Sequence, residues 1–108
     1  MFEARCVPTD LADSNAGMIM KTLFAQGLSE KPRLLRFPTE EGEPEAIARA
    51  FERAWRERGI ERIDLALQGM GEDGHTASLF PGTEVLEVRD RIAAAVYRGP
   101  APRCVVAP

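Results

Sequence analysis

An apolar run that ends in glycine constrains this chain more than any other feature. Residues 63 to 68 read Ile-Asp-Leu-Ala-Leu-Gln and are followed at once by Gly69-Met70-Gly71-Glu72-Asp73-Gly74-His75. Asp64 and Gln68 frame Leu65-Ala66-Leu67, which leaves too few polar residues for a strand with one wet face. The run therefore predicts a central strand covered on both sides. Gly69, Gly71 and Gly74 then allow positive φ and a close approach of backbone to a ligand, as a tight turn requires. Beyond them, His75 to Phe80 has room for no more than a turn or two of helix before Pro81-Gly82 interrupts.

Strand and helix signals alternate along the remaining sequence. Phe2 to Val7 predicts a short strand ended by Pro8. Ser14 is a good N-cap for a helix whose Met18, Ile19, Leu23 and Phe24 form an apolar stripe that stops near Gly27. Arg33 to Phe37 reads as another short strand. A second helix starts with Pro44 in its first turn. Ile47, Phe51, Ala54 and Trp55 share one face, Glu45 with Arg49 and Glu52 with Arg56 pair on a solvated face, and Gly59 supplies the stop. Ile92 to Tyr97 and Cys104 to Val106 are the last strand candidates. The alternation predicts an α/β domain, Rossmann-like, with a mainly parallel sheet and flanking helices. In such a sheet the loops after Phe2–Val7 and after Ile63–Gln68 open at the same end, where ligands bind.

At 108 residues the chain is sized for one domain, residues 1–108. Its 14 basic and 17 acidic residues, net −3, form no broad cationic surface for nucleic acid or anionic lipid. Any bound anion must be held locally. No apolar run has the length of a membrane span and no secretory leader is visible, so a cytoplasmic location is expected. Cys6 and Cys104 match no metal-ligand spacing and read as buried free thiols rather than a disulfide.

His75 is the only histidine, and an imidazole can take a proton from water near neutral pH without a metal. Asp73 could orient that ring, or cap a short helix beginning at His75. Arg5, just after a predicted strand, could bind phosphate or remain a solvated charge. Gly69, Gly71 and Gly74 also fit Gly-x-Gly-x-x-Gly, the dinucleotide pattern. Pro81-Gly82 cuts short the helix that pattern needs, which makes nicotinamide dinucleotide binding the weakest reading.

The stretch Gly69-Met70-Gly71-Glu72-Asp73-Gly74-His75-Thr76-Ala77-Ser78-Leu79-Phe80-Pro81-Gly82 resembles the signature of the 6-phosphogluconolactonase family, Gly-Met-Gly-x-Asp-Gly-His-x-Ala-Ser-Leu-Phe-Pro-Gly. The related glucosamine-6-phosphate deaminases diverge after the histidine, where this chain keeps Ala77-Ser78-Leu79-Phe80-Pro81. Glu3-Ala4-Arg5-Cys6-Val7-Pro8 with Asp13-Ser14-Asn15 is similar to a second family segment, and Pro100-Ala101-Pro102-Arg103 to a third. The resemblance implies hydrolysis of 6-phosphoglucono-δ-lactone in the oxidative pentose phosphate pathway, with neither metal nor organic cofactor. His75 would be the base with Asp73 beside it, Arg5 and Arg103 would hold the substrate phosphate, and Gly69, Gly71 and Gly74 would line the substrate. Ala4, Gln68 and Val105-Val106-Ala107 depart from the pattern. Family members are longer, so the sequence reads as the middle of such a protein, incomplete relative to the family. A noncatalytic remnant that binds sugar phosphates weakly, or only self-associates through open sheet edges, is the alternative.

Overall fold

In a computed structural model that describes residues 3–25, 27 and 32–107, the chain builds a three-stranded sheet and two α-helices. The strands are β1 (Glu3–Arg5), β2 (Ala93–Val96) and β3 (Arg103–Val106), in the order β1-β3-β2 with β3 central. The helices are α1 (Asn15–Thr22) and α2 (Pro44–Glu57).

The α/β class holds, while the expected parallel pairing does not occur among the described strands. Both ladders are antiparallel, with Ala4 opposite Cys104, Arg5 opposite Arg103 and Ala95 opposite Cys104. A parallel pair needs a crossover of a dozen or more residues, but only the short link Tyr97–Pro102 separates β2 from β3. The run Ile63–Gln68, expected as a central strand, enters no ladder among the described residues. Leu65 and Leu67 are 76% and 83% exposed. Arg33–Phe37 is likewise not a strand. It contributes to the core through Phe37, which is fully buried and stacks on Phe51 with ring centroids 4.1 Å apart.

The sheet alternates side chains between two covered faces. Ala4, Ala93 and Cys104 turn toward α2, whose Ile47, Ala48 and Phe51 are fully or almost fully buried. Methyl side chains on β1 and β2 leave room for the helix to lie close. Ala94, Val96 and Val105 turn the other way, onto Phe80 and Val85 of the segment that follows the glycine turn. Arg5 and Arg103 share the face of Val105, so the fold places both guanidinium groups on the Phe80 side.

α2 matches its sequence pattern, with Pro44 at the first position and Gly59 at φ +63° after its end. Its charged face does not. Glu52 is only 8% exposed and accepts hydrogen bonds from the amides of Ile92 (2.7 Å) and Ala93 (3.2 Å). Glu45 pairs with Arg91 at 3.2 Å. These carboxylates serve the start of β2, whose edge amides need acceptors more than Arg49 and Arg56 need partners.

α1 begins as expected, with buried Ser14 accepting from the Gly17 amide at 3.0 Å. A Cβ on Gly17 would collide with the Thr9 carbonyl, so glycine lets the helix close against the loop after β1. The apolar stripe of α1 is not buried: Met18 and Leu23 are 56% and 63% exposed. Cys6 and Cys104 are free thiols with sulfur atoms 3.4 Å apart. That contact lowers the Cys6 pKa and, with burial, raises that of Cys104.

Candidate active site

The turn from Gly69 to Phe80 closes on itself rather than opening a helix. Gly71 donates its amide to the His75 carbonyl (2.8 Å), and Gly74, at φ +84°, donates to the Gly71 carbonyl (3.0 Å). The imidazole lies directly over the Gly71 backbone: a Cβ there would fall on Cε1 and Nδ1. A tight turn replaces the short helix expected after His75, with Leu79 N–H donating to the Thr76 carbonyl at 2.9 Å and Ala77 at φ +49°. No helix N-terminus follows the glycines, so the platform a dinucleotide pyrophosphate requires is not formed.

Asp73 is thus not a helix cap. Its Oδ1 accepts from the His75 amide (3.2 Å) and contacts His75 Nδ1 at 2.5 Å. Those hydrogen bonds, the side-chain one foremost, hold the Asp73 carboxyl below the usual carboxylate range. An ionised carboxylate only accepts, so in the neutral imidazole the proton sits on Nδ1 and the Nε2 lone pair is left for other chemistry. The ring borders a cavity of about 620 Å³, together with Asn15, Met18 and Ile19 of α1 and with Gln68 and Met70. Gln68 is fixed by Thr76, whose hydroxyl donates to Oε1 at 2.6 Å.

The two arginines singled out near opposite ends of the sequence are brought face to face by the β1/β3 register. They line a hollow of about 210 Å³ with Asp13 and Pro100. Arg5 pairs with Asp13 at 3.2 Å, while Arg103 Nε is buried without a hydrogen-bond partner. Like charges directly opposed across a ladder are unfavourable by themselves, and an anion between them would relieve that. Phe80 links the arginine pair to the histidine. Its ring centroid is 4.5 Å from that of His75, and the Arg103 guanidinium lies 5.4 Å from it.

Of the residues expected at a site, His75, Asp73 and Gly71 are in contact, Gly74 shapes their turn, and Arg5 and Arg103 form the second cluster. Gly69 borders the cavity, but a Cβ there would meet nothing within 4 Å, so no close approach demands glycine. Sequence reasoning does not identify Phe80 as the shared platform and, weighing Arg98 only as a partner for a cofactor phosphate, does not place it beside that ring. The Tyr97–Pro102 link between two strand candidates was the available signal for Arg98. Among the described residues no three His, Cys, Asp or Glu side chains converge as a metal site, and no helix is long and apolar enough to cross a membrane.

The family model described as glucosamine-6-phosphate isomerases/6-phosphogluconolactonase matches residues 1–105. The chain belongs to this family. Among its relatives, a 6-phosphogluconolactonase of Pseudomonas putida is 39% identical over 87 residues, covering 81% of this chain and 35% of the relative. The 6-phosphogluconolactonase of Rattus norvegicus is 35% identical over 107 residues, covering 93% of this chain and 40% of its own. The crystal structure of the Thermotoga maritima 6-phosphogluconolactonase superposes with a TM-score of 0.81 at 27% identity, over 97% of this chain and 48% of that one. The chain therefore spans less than half the length of these lactonases.

Proposed function

We propose that this part of the family fold carries the catalytic base of a 6-phosphogluconolactonase, hydrolysing 6-phosphoglucono-δ-lactone to 6-phosphogluconate in the cytoplasmic pentose phosphate pathway. The observation that carries the reading is the Asp73–His75 contact: it occupies Nδ1 and leaves Nε2 available beside a cavity. Nε2 takes a proton from water as the water oxygen bonds to the lactone carbonyl carbon. When the ring C–O bond breaks, the imidazolium returns the proton to the departing alkoxide, and the carboxylic acid so formed loses its own proton to solvent to leave the carboxylate. Asp73, anionic throughout, fixes the ring and balances its transient charge. Arg5 and Arg103 supply paired donors for the substrate phosphate on the other side of Phe80, which limits how the lactone can lie. The chain as given and a version extended to the full length of its relatives should be assayed for lactone hydrolysis, corrected for the spontaneous reaction. His75→Ala in the active form should abolish the enzymatic rate while leaving 6-phosphogluconate binding measurable, and unchanged turnover would remove His75 as the base.

A second reading draws on the exposure of Leu65, Leu67 and Met70 together with the partial coverage of the relatives. On it, the 108 residues alone form a sugar-phosphate-binding or self-associating piece without turnover. Activity only in the extended version would favour it for the isolated chain.

A further inference from the structure

Arg98, in the link between β2 and β3, has no place in the scheme above, yet it reaches the same turn. Its guanidinium carbon lies 4.5 Å from the centroid of Phe80, nearer than that of Arg103. Its Nη2 lies 3.8 Å from Oδ2 of Asp73, the carboxylate oxygen that does not face His75. Phe80 is 7% exposed and packed against the sheet, so it is a fixed surface on which both the guanidinium and the imidazole rest. The carboxylate of Asp73 bridges the two, one oxygen to each.

We infer that Arg98 is a positioning residue for the Asp73–His75 pair, an inference that rests on the reading of His75 as the base. A side-chain carboxylate can rotate about χ2, and rotation would take Oδ1 off Nδ1. A cation on Oδ2, itself held over an aromatic ring, opposes that rotation. Stability is a poor explanation for the contact, because Arg98 and Asp73 are 47% and 45% exposed and ion pairs of that kind contribute little. The electrostatic effect falls on the imidazole. The charged groups facing His75 are Asp73 and, over Phe80, Arg98 and Arg103. Asn15 of α1 and Gln68 across the cavity are uncharged, and Glu72 of the same turn is exposed. A guanidinium on Oδ2 therefore bears on how firmly Oδ1 stays on Nδ1, which exchange of the Nδ1 proton reads directly.

Because His75 is the only histidine in the chain, its Nδ1 proton can be followed by NMR at fixed pH without reference to turnover. Arg98→Ala should quicken exchange of that proton with solvent by roughly two- to fivefold, the weight of an exposed ion pair. Arg98→Lys should restore most of the slow exchange. Arg98→Gln, which keeps a planar group over Phe80 and has no charge, should behave as the alanine variant and serves if that variant folds poorly. An unchanged exchange rate in Arg98→Ala or Arg98→Gln would overturn the assignment. An inactive protein that shows the faster exchange would instead count against the lactonase reading and leave the coupling of Arg98 to the pair intact.

Discussion

The Asp73–His75 pair is organised by a residue with no side chain. Gly71 lies beneath the imidazole, and its amide and carbonyl both bond within the turn that carries His75. Any Cβ there occupies the space of Cε1 and Nδ1, so the ring must swing off Asp73 or the turn must open. Gly71→Ala in the active, full-length form should therefore cost roughly a hundredfold in turnover, the order of loss that follows from displacing a reacting group by about an ångström. Substrate affinity should be nearly retained, because Arg5 and Arg103 stand on the sheet rather than on the turn. A steady-state assay separates the two parameters; a variant with parental kcat would show that the ring tolerates the methyl group. Asp73→Asn offers a complementary view of the same contact. Its carboxyl is held below the ordinary range in the folded state, so whatever it contributes to stability is present above the unfolded carboxyl pKa and lost as pH falls through the folded one.

At the scale of elements, the second helix and the sheet are joined by one buried carboxylate. Glu52 receives the amides of Ile92 and Ala93, which begin an edge strand and lack ladder partners on that side. Glu52→Ala leaves those donors without an acceptor in a covered site, at a cost of about 1–3 kcal/mol. Glu52→Gln keeps an acceptor oxygen and should cost less. Urea unfolding of the three proteins would check the order, and equal midpoints would show that water replaces the carboxylate freely. The same residue marks where sequence reasoning stops. The spacing of Ile47, Phe51 and Trp55 identifies α2 and its buried face, because a 3.6-residue period is a local property of the chain. That Glu52 faces β2 instead of Arg56 depends on an element forty residues away. The antiparallel ladders were hidden for the same reason. Five short stretches read as strands from the sequence and three of them pair; direction depends on which become neighbours, and Arg33–Phe37 and Ile63–Gln68 qualify on local pattern alone. The site was more legible than the sheet: Asp73, Gly74 and His75 lie together in sequence, so their contact is set by turn chemistry. The meeting of Arg5 with Arg103 came only through the family resemblance and the β1/β3 register.

For the molecule as a whole, the notable property is apolar surface left exposed among the described residues. Leu65, Leu67 and Met70 are 76%, 83% and 82% exposed, and Leu67 and Met70 border a cavity that Met18 of α1 also lines. Exposed apolar surface of this kind favours association. The isolated 108-residue chain should accordingly form concentration-dependent oligomers, and Leu67→Glu should shift it toward monomers in sedimentation velocity. A parent that stays monomeric at high concentration would show that this surface is not adhesive. The sheet register has a further consequence for how the molecule comes into being. One wall of the hollow between Arg5 and Arg103 is set by β1, and the facing wall by β3 almost a hundred residues later. Closing so long a loop is entropically slow. An anion held between the two arginines, as proposed above, would therefore bind only once β1 and β3 have paired, whatever the order in which the intervening segments fold.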